Sequence, residues 1–119
     1  MQVDVTPAGR CVVATVTGEV DAGVVEVFRA ELRAIVQDAA FERGQADLVM
    51  NLSGVSFIDS SALGALVNIY KEVTLGGGSV SVVGSQPVLR LFDLTQLDSL
   101  FRMTSTVAEA VAPFLSEPS

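Results

Sequence analysis

Residues 47–67 read DLVMNLSGVSFIDSSALGALV. The first six residues are a compact apolar run with no helical spacing, which suits an interior strand. Ser53-Gly54 interrupts it, and Val55, Phe57 and Ile58 resume before the chain meets Asp59-Ser60-Ser61. From Ser61 to about Thr74 the period becomes helical, with Leu63, Leu66, Val67, Tyr70 and Val73 on one side. A strand that ends in an acid and two hydroxyls and then becomes a helix is one unit of an alternating α/β chain.

The same alternation continues in both directions. Upstream, residues 2–6 and 11–17 are β-rich and separated by Pro7-Ala8-Gly9-Arg10, a hairpin signal. Gly18-Glu19-Val20-Asp21 closes the second strand, and Asp21 is expected to cap a helix over about 22–41. On that helix Phe28, Leu32, Ile35, Val36 and Ala39 form the apolar face, and Gly44 marks its exit. Downstream, Gly76-Gly77-Gly78 ends the central helix and residues 79–83 alternate as a strand. Gly84-Ser85-Gln86-Pro87 leads into a short helix with proline at its first position and Val88, Leu91 and Phe92 inward. Residues 100–103 suit an edge strand. Thr106 and Glu109 have capping-box spacing ahead of a last helix carrying Val107, Ala110, Val111, Phe114 and Leu115. Glu117-Pro118-Ser119 reads as a frayed tail. The expected fold is α/β: one domain over residues 1–119, a mixed sheet of four to five strands with about four helices chiefly on one side.

Composition narrows the function. The chain has 119 residues and no histidine, so a Ser-His-Asp triad, a Cys-His pair and a His-ligated metal are excluded. Seven basic against fourteen acidic residues give a net charge of −7, which repels nucleic-acid backbones and anionic lipid headgroups. No apolar run reaches the roughly 20 residues that span a bilayer, and the first ten residues lack the features of a signal peptide. A cytoplasmic protein, monomeric in isolation, is expected. Cys11 lies in the apolar run CVVATV and reads as a core residue, as do Tyr70 and Phe92 in core or interface. The triple glycine lacks the lysine and hydroxyl of a phosphate loop and reads as a turn. Asp21, Asp47, Asp59 and Asp93 flank element ends and have no metal-site or acid–base spacing.

Asp59-Ser60-Ser61 therefore has two readings. Capping of a helix N-terminus is the commoner use of such residues. A helix N-terminus also tolerates a phosphate, because its free N–H groups and partial positive charge face outward. Phosphorylation there would add roughly −1.5 to −2 charge beside Asp59 without unfolding the domain. The small residues Ala62 and Gly64 fit either close packing on the sheet or the approach of a partner loop.

Taken together, DLVMNLSGVSFIDSSALGALV, GGGSVSVVG and VLRLFDLTQLDSLF, with GEVD at 18–21, resemble the STAS family of bacterial anti-sigma-factor antagonists. The resemblance covers nearly the whole chain, least at the first strand and last helix. It implies a binding module and not an enzyme, with no cofactor. The unphosphorylated form would bind an anti-sigma factor that is also a serine kinase, so releasing the sigma factor. The kinase would phosphorylate Ser61 and separate the pair, and a PP2C-type phosphatase would restore it. Asp59 and Ser60 would shape the loop, Asp21 would influence its charge, and Ala62, Leu63 and Gly64 would supply contact surface. The alternative within the fold is a STAS subunit of a lipid- or anion-transport complex that binds a transporter ATPase. Two positions depart from the family pattern: Ala62 where many members carry glycine, and Gln96 where glycine is frequent. If Gln96 requires a positive φ, it is strained.

Overall fold

In the computed structural model, which describes residues 1–115, a five-stranded sheet is built in the spatial order β1-β2-β3-β4-β5. The strands are β1 (Gln2–Ala8), β2 (Cys11–Val20), β3 (Asp47–Ile58), β4 (Ser79–Gly84) and β5 (Arg102–Thr104). The helices are α1 (Val25–Arg43), α2 (Ser60–Leu75), α3 (Gln86–Leu94) and α4 (Val107–Leu115). β1 and β2 form the expected hairpin and pair antiparallel; every later pairing is parallel, so the sheet is mixed.

The pleat sorts side chains between two cores. Val12, Ala14 and Val16 of β2, Leu48, Met50 and Leu52 of β3, and Val80 and Val82 of β4 face α1, α2 and α3. The intervening Cys11, Val13, Val49 and Val83 face α4 on the other side. Phe28, Leu32, Val36 and Ala39 bury the inner face of α1, as their spacing requires. Phe92 is fully buried, and its ring lies 5.5 Å from that of Phe101, which in turn meets half-buried Tyr70 edge-on at 5.2 Å. Those rings join α3 to α2.

Helix α4 contains Pro113, which has no N–H to give the carbonyl of Glu109 one turn earlier. Arg102 supplies the missing donor: one guanidinium nitrogen reaches Glu109 O at 3.2 Å, the other Ala110 O at 3.1 Å. It also satisfies the buried Ser81 hydroxyl at 3.1 Å. At the C-terminal end of α4, the Arg10 backbone N–H donates to Phe114 O at 2.9 Å and the Arg10 guanidinium to Pro113 O. The β1–β2 turn thus closes the open end of α4.

Several boundaries differ from the sequence reading. β3 does not stop at Leu52 but runs through Ser53-Gly54 to Ile58, because register shifts in its pairing with β2 absorb the irregularity. α1 begins at Val25, three residues late, since residues 21–24 form a turn closed by Val24 N to Asp21 O. Pro87 is the second helical residue of α3, not the first. β5 is displaced to Arg102–Thr104, and Leu115 on α4 is exposed rather than buried. The proposed tail, residues 117–119, lies outside the described residues.

Gln96 has φ 59° and ψ 20°, the left-handed conformation that its position suggested. A non-glycine residue there is strained by about 1–2 kcal/mol. Gln96→Gly should therefore stabilise the fold, by roughly 0.5–1 kcal/mol once the freer unfolded chain is allowed for. Equilibrium urea unfolding of the two proteins is the check.

Candidate functional site

Because β3 ends at Ile58 and α2 starts at Ser60, Asp59 is the single residue between them and becomes the helix N-cap. Its backbone is extended, and Oδ1 accepts the Ser61 backbone N–H at 3.0 Å. The same oxygen accepts the Ser61 hydroxyl proton. Oδ2 turns the other way and accepts the Ala22 N–H at 3.1 Å. The Asp59 backbone N–H donates to Val20 O at 3.3 Å. One carboxylate therefore ties the first turn of α2 to the loop that leaves β2.

Asp21 does not cap α1. Its Oδ1 accepts the Gly23 N–H at 2.9 Å and shapes the loop that offers Ala22 to Asp59. Asp21 thus reaches the Ser61 site through Ala22, a residue no sequence motif singled out. Ser60 is exposed, Ser61 half-buried and Gly64 exposed. Ala62 and Leu63 are buried at 0 % and 5 % exposure, so their side chains pack in the core. Gly64 differs again: a Cβ built there meets nothing within 4 Å, so packing on the sheet does not require a glycine.

The Ser61 hydroxyl above all, then the backbone N–H groups of Ser61, Ala22 and Ala62, hold the Asp59 carboxyl below its ordinary range, against the opposing effect of partial burial. A depressed folded-state pKa contributes stability that is present above the unfolded carboxylate value and lost as pH falls through the folded one. Asp59→Asn should therefore be less stable than wild type at about pH 7, with the gap closing toward about pH 3. Chemical unfolding at both pH values tests this; a gap independent of pH would detach the stability from the carboxylate charge.

Beside this turn an apolar groove of about 220 Å³ is lined by Phe57, Ile58, Pro87, Arg90, Leu91 and Leu94. Phe57 and Leu94 are 48 % and 74 % exposed. Periodicity could not bring β3 and α3 together here, although the exposed Phe57 breaks the strand alternation.

The other candidates resolve structurally. Cys11 is fully buried, its thiol donates to Ala8 O at 3.1 Å, and burial first, then the Asp47 carboxylate, push its pKa up. Gly78 lies against the Ala46 carbonyl in the α2–β4 connection. Among the described residues no group of three or more Cys, Asp or Glu side chains is placed to hold a metal, and no helix is long and apolar enough to cross a membrane.

A mixed sheet whose central strand delivers a capped hydroxyl to the start of the next helix is the arrangement of a STAS domain, and the model of that family matches residues 2–110: the chain belongs to the STAS domain family. The anti-sigma-B factor antagonist of Bacillus subtilis is 30 % identical over 106 residues, 88 % of this chain and 92 % of that protein. The crystal structure of an anti-sigma factor antagonist from Mycobacterium paratuberculosis superposes with a TM-score of 0.80, covering 97 % of this chain and 94 % of that one at 26 % identity. The Bacillus antagonist SpoIIAA, solved unphosphorylated and phosphorylated, shares the fold with a TM-score of 0.68 in both forms. At 24 % identity, each form covers 94 % of this chain, matching 96 % and 98 % of its own length.

Proposed function

We propose that the chain is an anti-sigma-factor antagonist controlled at Ser61. Its unphosphorylated form binds an anti-sigma factor that is a serine kinase, and this binding frees the sigma factor. The kinase transfers the γ-phosphoryl group of ATP to Ser61 Oγ: the Oγ–P bond forms, the bond to ADP breaks, and the hydroxyl proton leaves. A PP2C-type phosphatase hydrolyses the phosphoserine and restores binding. The observation that carries this reading is the Ser61 hydroxyl itself, in the first turn of α2 between exposed Ser60 and exposed Gly64 and donating to the Asp59 carboxylate.

The physical effect of the phosphate is local. It removes the hydroxyl donor from Asp59 and sets a second negative charge against that carboxylate, with Asp21 nearby through the Ala22 loop. The partial positive charge at the N-terminus of α2 offsets the new charge, so the fold survives while the surface presented to a partner becomes repulsive. Gly64 supports close approach of a partner backbone: a helix-interior glycine costs about 1 kcal/mol relative to alanine, and this chain's own packing gives no reason for it. The groove between Phe57 and Leu94 offers the same partner an apolar anchor.

The test is a paired pull-down from host lysate with wild type and Ser61→Asp as baits. A serine kinase captured by wild type alone supports the proposal. A transporter ATPase captured by both would replace it with the transport-subunit role.

A further inference from the structure

At the end of the sheet where β3 begins, two openings share one wall. The first, about 290 Å³, is lined by Gly9, Arg10, Arg43, Gln45 and Asp47. The second, about 280 Å³, is an apolar slot walled by Val5, Pro7, Val12 and Ile35, with Asp38 and Glu42 also on its lining. Arg43 lines both. β3 runs from Asp47 to Ile58 before the chain reaches Ser61, which at strand rise places this end roughly 36 Å from the Ser61 site.

The first cleft is lined by two cations and one acid, whereas Asp38 and Glu42 stand on the slot beside it. The chain carries seven cations against fourteen acids, yet two of the seven line one cleft. Arg10 is braced by its bond to the Pro113 carbonyl, which commits one of its five donors. Among the described residues Arg43, in the last turn of α1, pairs with its exposed sequence neighbour Glu42 at 3.4 Å, an ion pair of little worth. The carboxylate lining the cleft among the described residues, Asp47, is already engaged: Gln45 Nε2 reaches Oδ2 at 3.0 Å and Ser79 Oγ reaches Oδ1 at 2.9 Å. Arg10 and Arg43 thus line a common cleft, each with donors beyond these bonds among the described residues, the arrangement that suits a phosphate taken by forked hydrogen bonds.

We infer that this end of the sheet is a binding site for a small phosphate monoester with an apolar body. The phosphate sits between Arg10 and Arg43, and the apolar body lies in the Val5–Ile35 slot. Asp38 and Glu42 disfavour a second anionic group there, so the ligand is charged at one end only. The site is independent of Ser61, and its occupancy leaves the partner surface open.

The experiment is an amide-resolved NMR titration of the full chain with inorganic phosphate and with phenyl phosphate, each to about 10 mM, where millimolar binding is readable. Phosphate should shift Gly9, Arg10, Arg43 and Gln45. Phenyl phosphate should bind more tightly and add Val5, Val12 and Ile35. Arg43→Gln should weaken both by about tenfold, the scale expected for losing a charge-assisted hydrogen bond. Arg10→Lys, which keeps the charge while losing the fork, should weaken them less. Equal affinity for the two probes, shifts centred on the start of α2, or an unchanged Kd in a folded Arg43→Gln protein would each overturn the assignment.

Discussion

Ser61→Asp is expected to weaken binding to the anti-sigma partner by at least about a hundredfold, because a like-charge contact placed in an interface costs several kcal/mol and each 1.4 kcal/mol is tenfold. The substituted carboxylate would face Asp59, which in wild type accepts the Ser61 hydroxyl proton and so has a donor where the variant has a charge. The same carboxylate sits favourably at a helix N-terminus, worth about 0.3–1 kcal/mol. The two effects on stability oppose each other, so the thermal midpoint should move only a few degrees. Calorimetric titration against the purified partner separates the two quantities. Ser61→Ala should bind as wild type does and remain bound when ATP is added; release on the wild-type timescale would place the acceptor elsewhere.

The second large effect comes from one substitution made at two glycines. Gly78→Ala drives a Cβ into the Ala46 carbonyl oxygen, a backbone atom that cannot turn aside. The α2–β4 connection must move off the start of β3, and a loss of about 3–4 kcal/mol is expected, on the scale of severe overpacking. Gly64→Ala places its Cβ in open space within a helix and should stabilise the isolated chain by up to about 1 kcal/mol. The signs reverse for function. Gly64→Ala should weaken partner binding although it strengthens the fold, whereas Gly78→Ala should bind normally as long as it is folded. Urea unfolding and calorimetric titration on the same two samples give both answers; tighter binding by Gly64→Ala would remove the argument that this glycine is kept for a partner.

These glycines show where sequence is a sufficient guide and where it is not. Helical and alternating periods, with cap and turn signals, point to the strands and α-helices of the described residues but not to the short 3-10 turn at Leu97–Ser99, and their order implies a mixed sheet of four to five strands, of which five form. Boundaries slipped where tertiary bonds overrode local signals. Ser53-Gly54 looks like a turn, yet pairing with Thr17 keeps it in β3, and Asp21 looks like a cap, yet its carboxylate serves Gly23. Leu63 suits both the buried stripe of α2 and a contact surface by sequence; its side chain is taken up by the stripe. Ser61 and Asp59 were legible because they are adjacent to a change of period. The Ala22 contact, the groove beside Phe57 and the pairing of Arg10 with Arg43 were not, since each joins residues from separate elements.

The placement of α4 alone on the far face of the sheet bears on how the chain is made. Val13, Val49 and Val83 are buried on that face in the cluster that includes Ala110 and Val111, which follow all five strands in chain order. Until they arrive, the nascent sheet can be closed by α1, α2 and α3 on one side only, with an uncovered aliphatic strip on the other. Such a strip is the kind of surface that recruits holding chaperones or other nascent chains. The contacts of Arg10 and Arg102 with the α4 backbone then act as a latch, shortening the interval between the synthesis of α4 and a sheet covered on both faces.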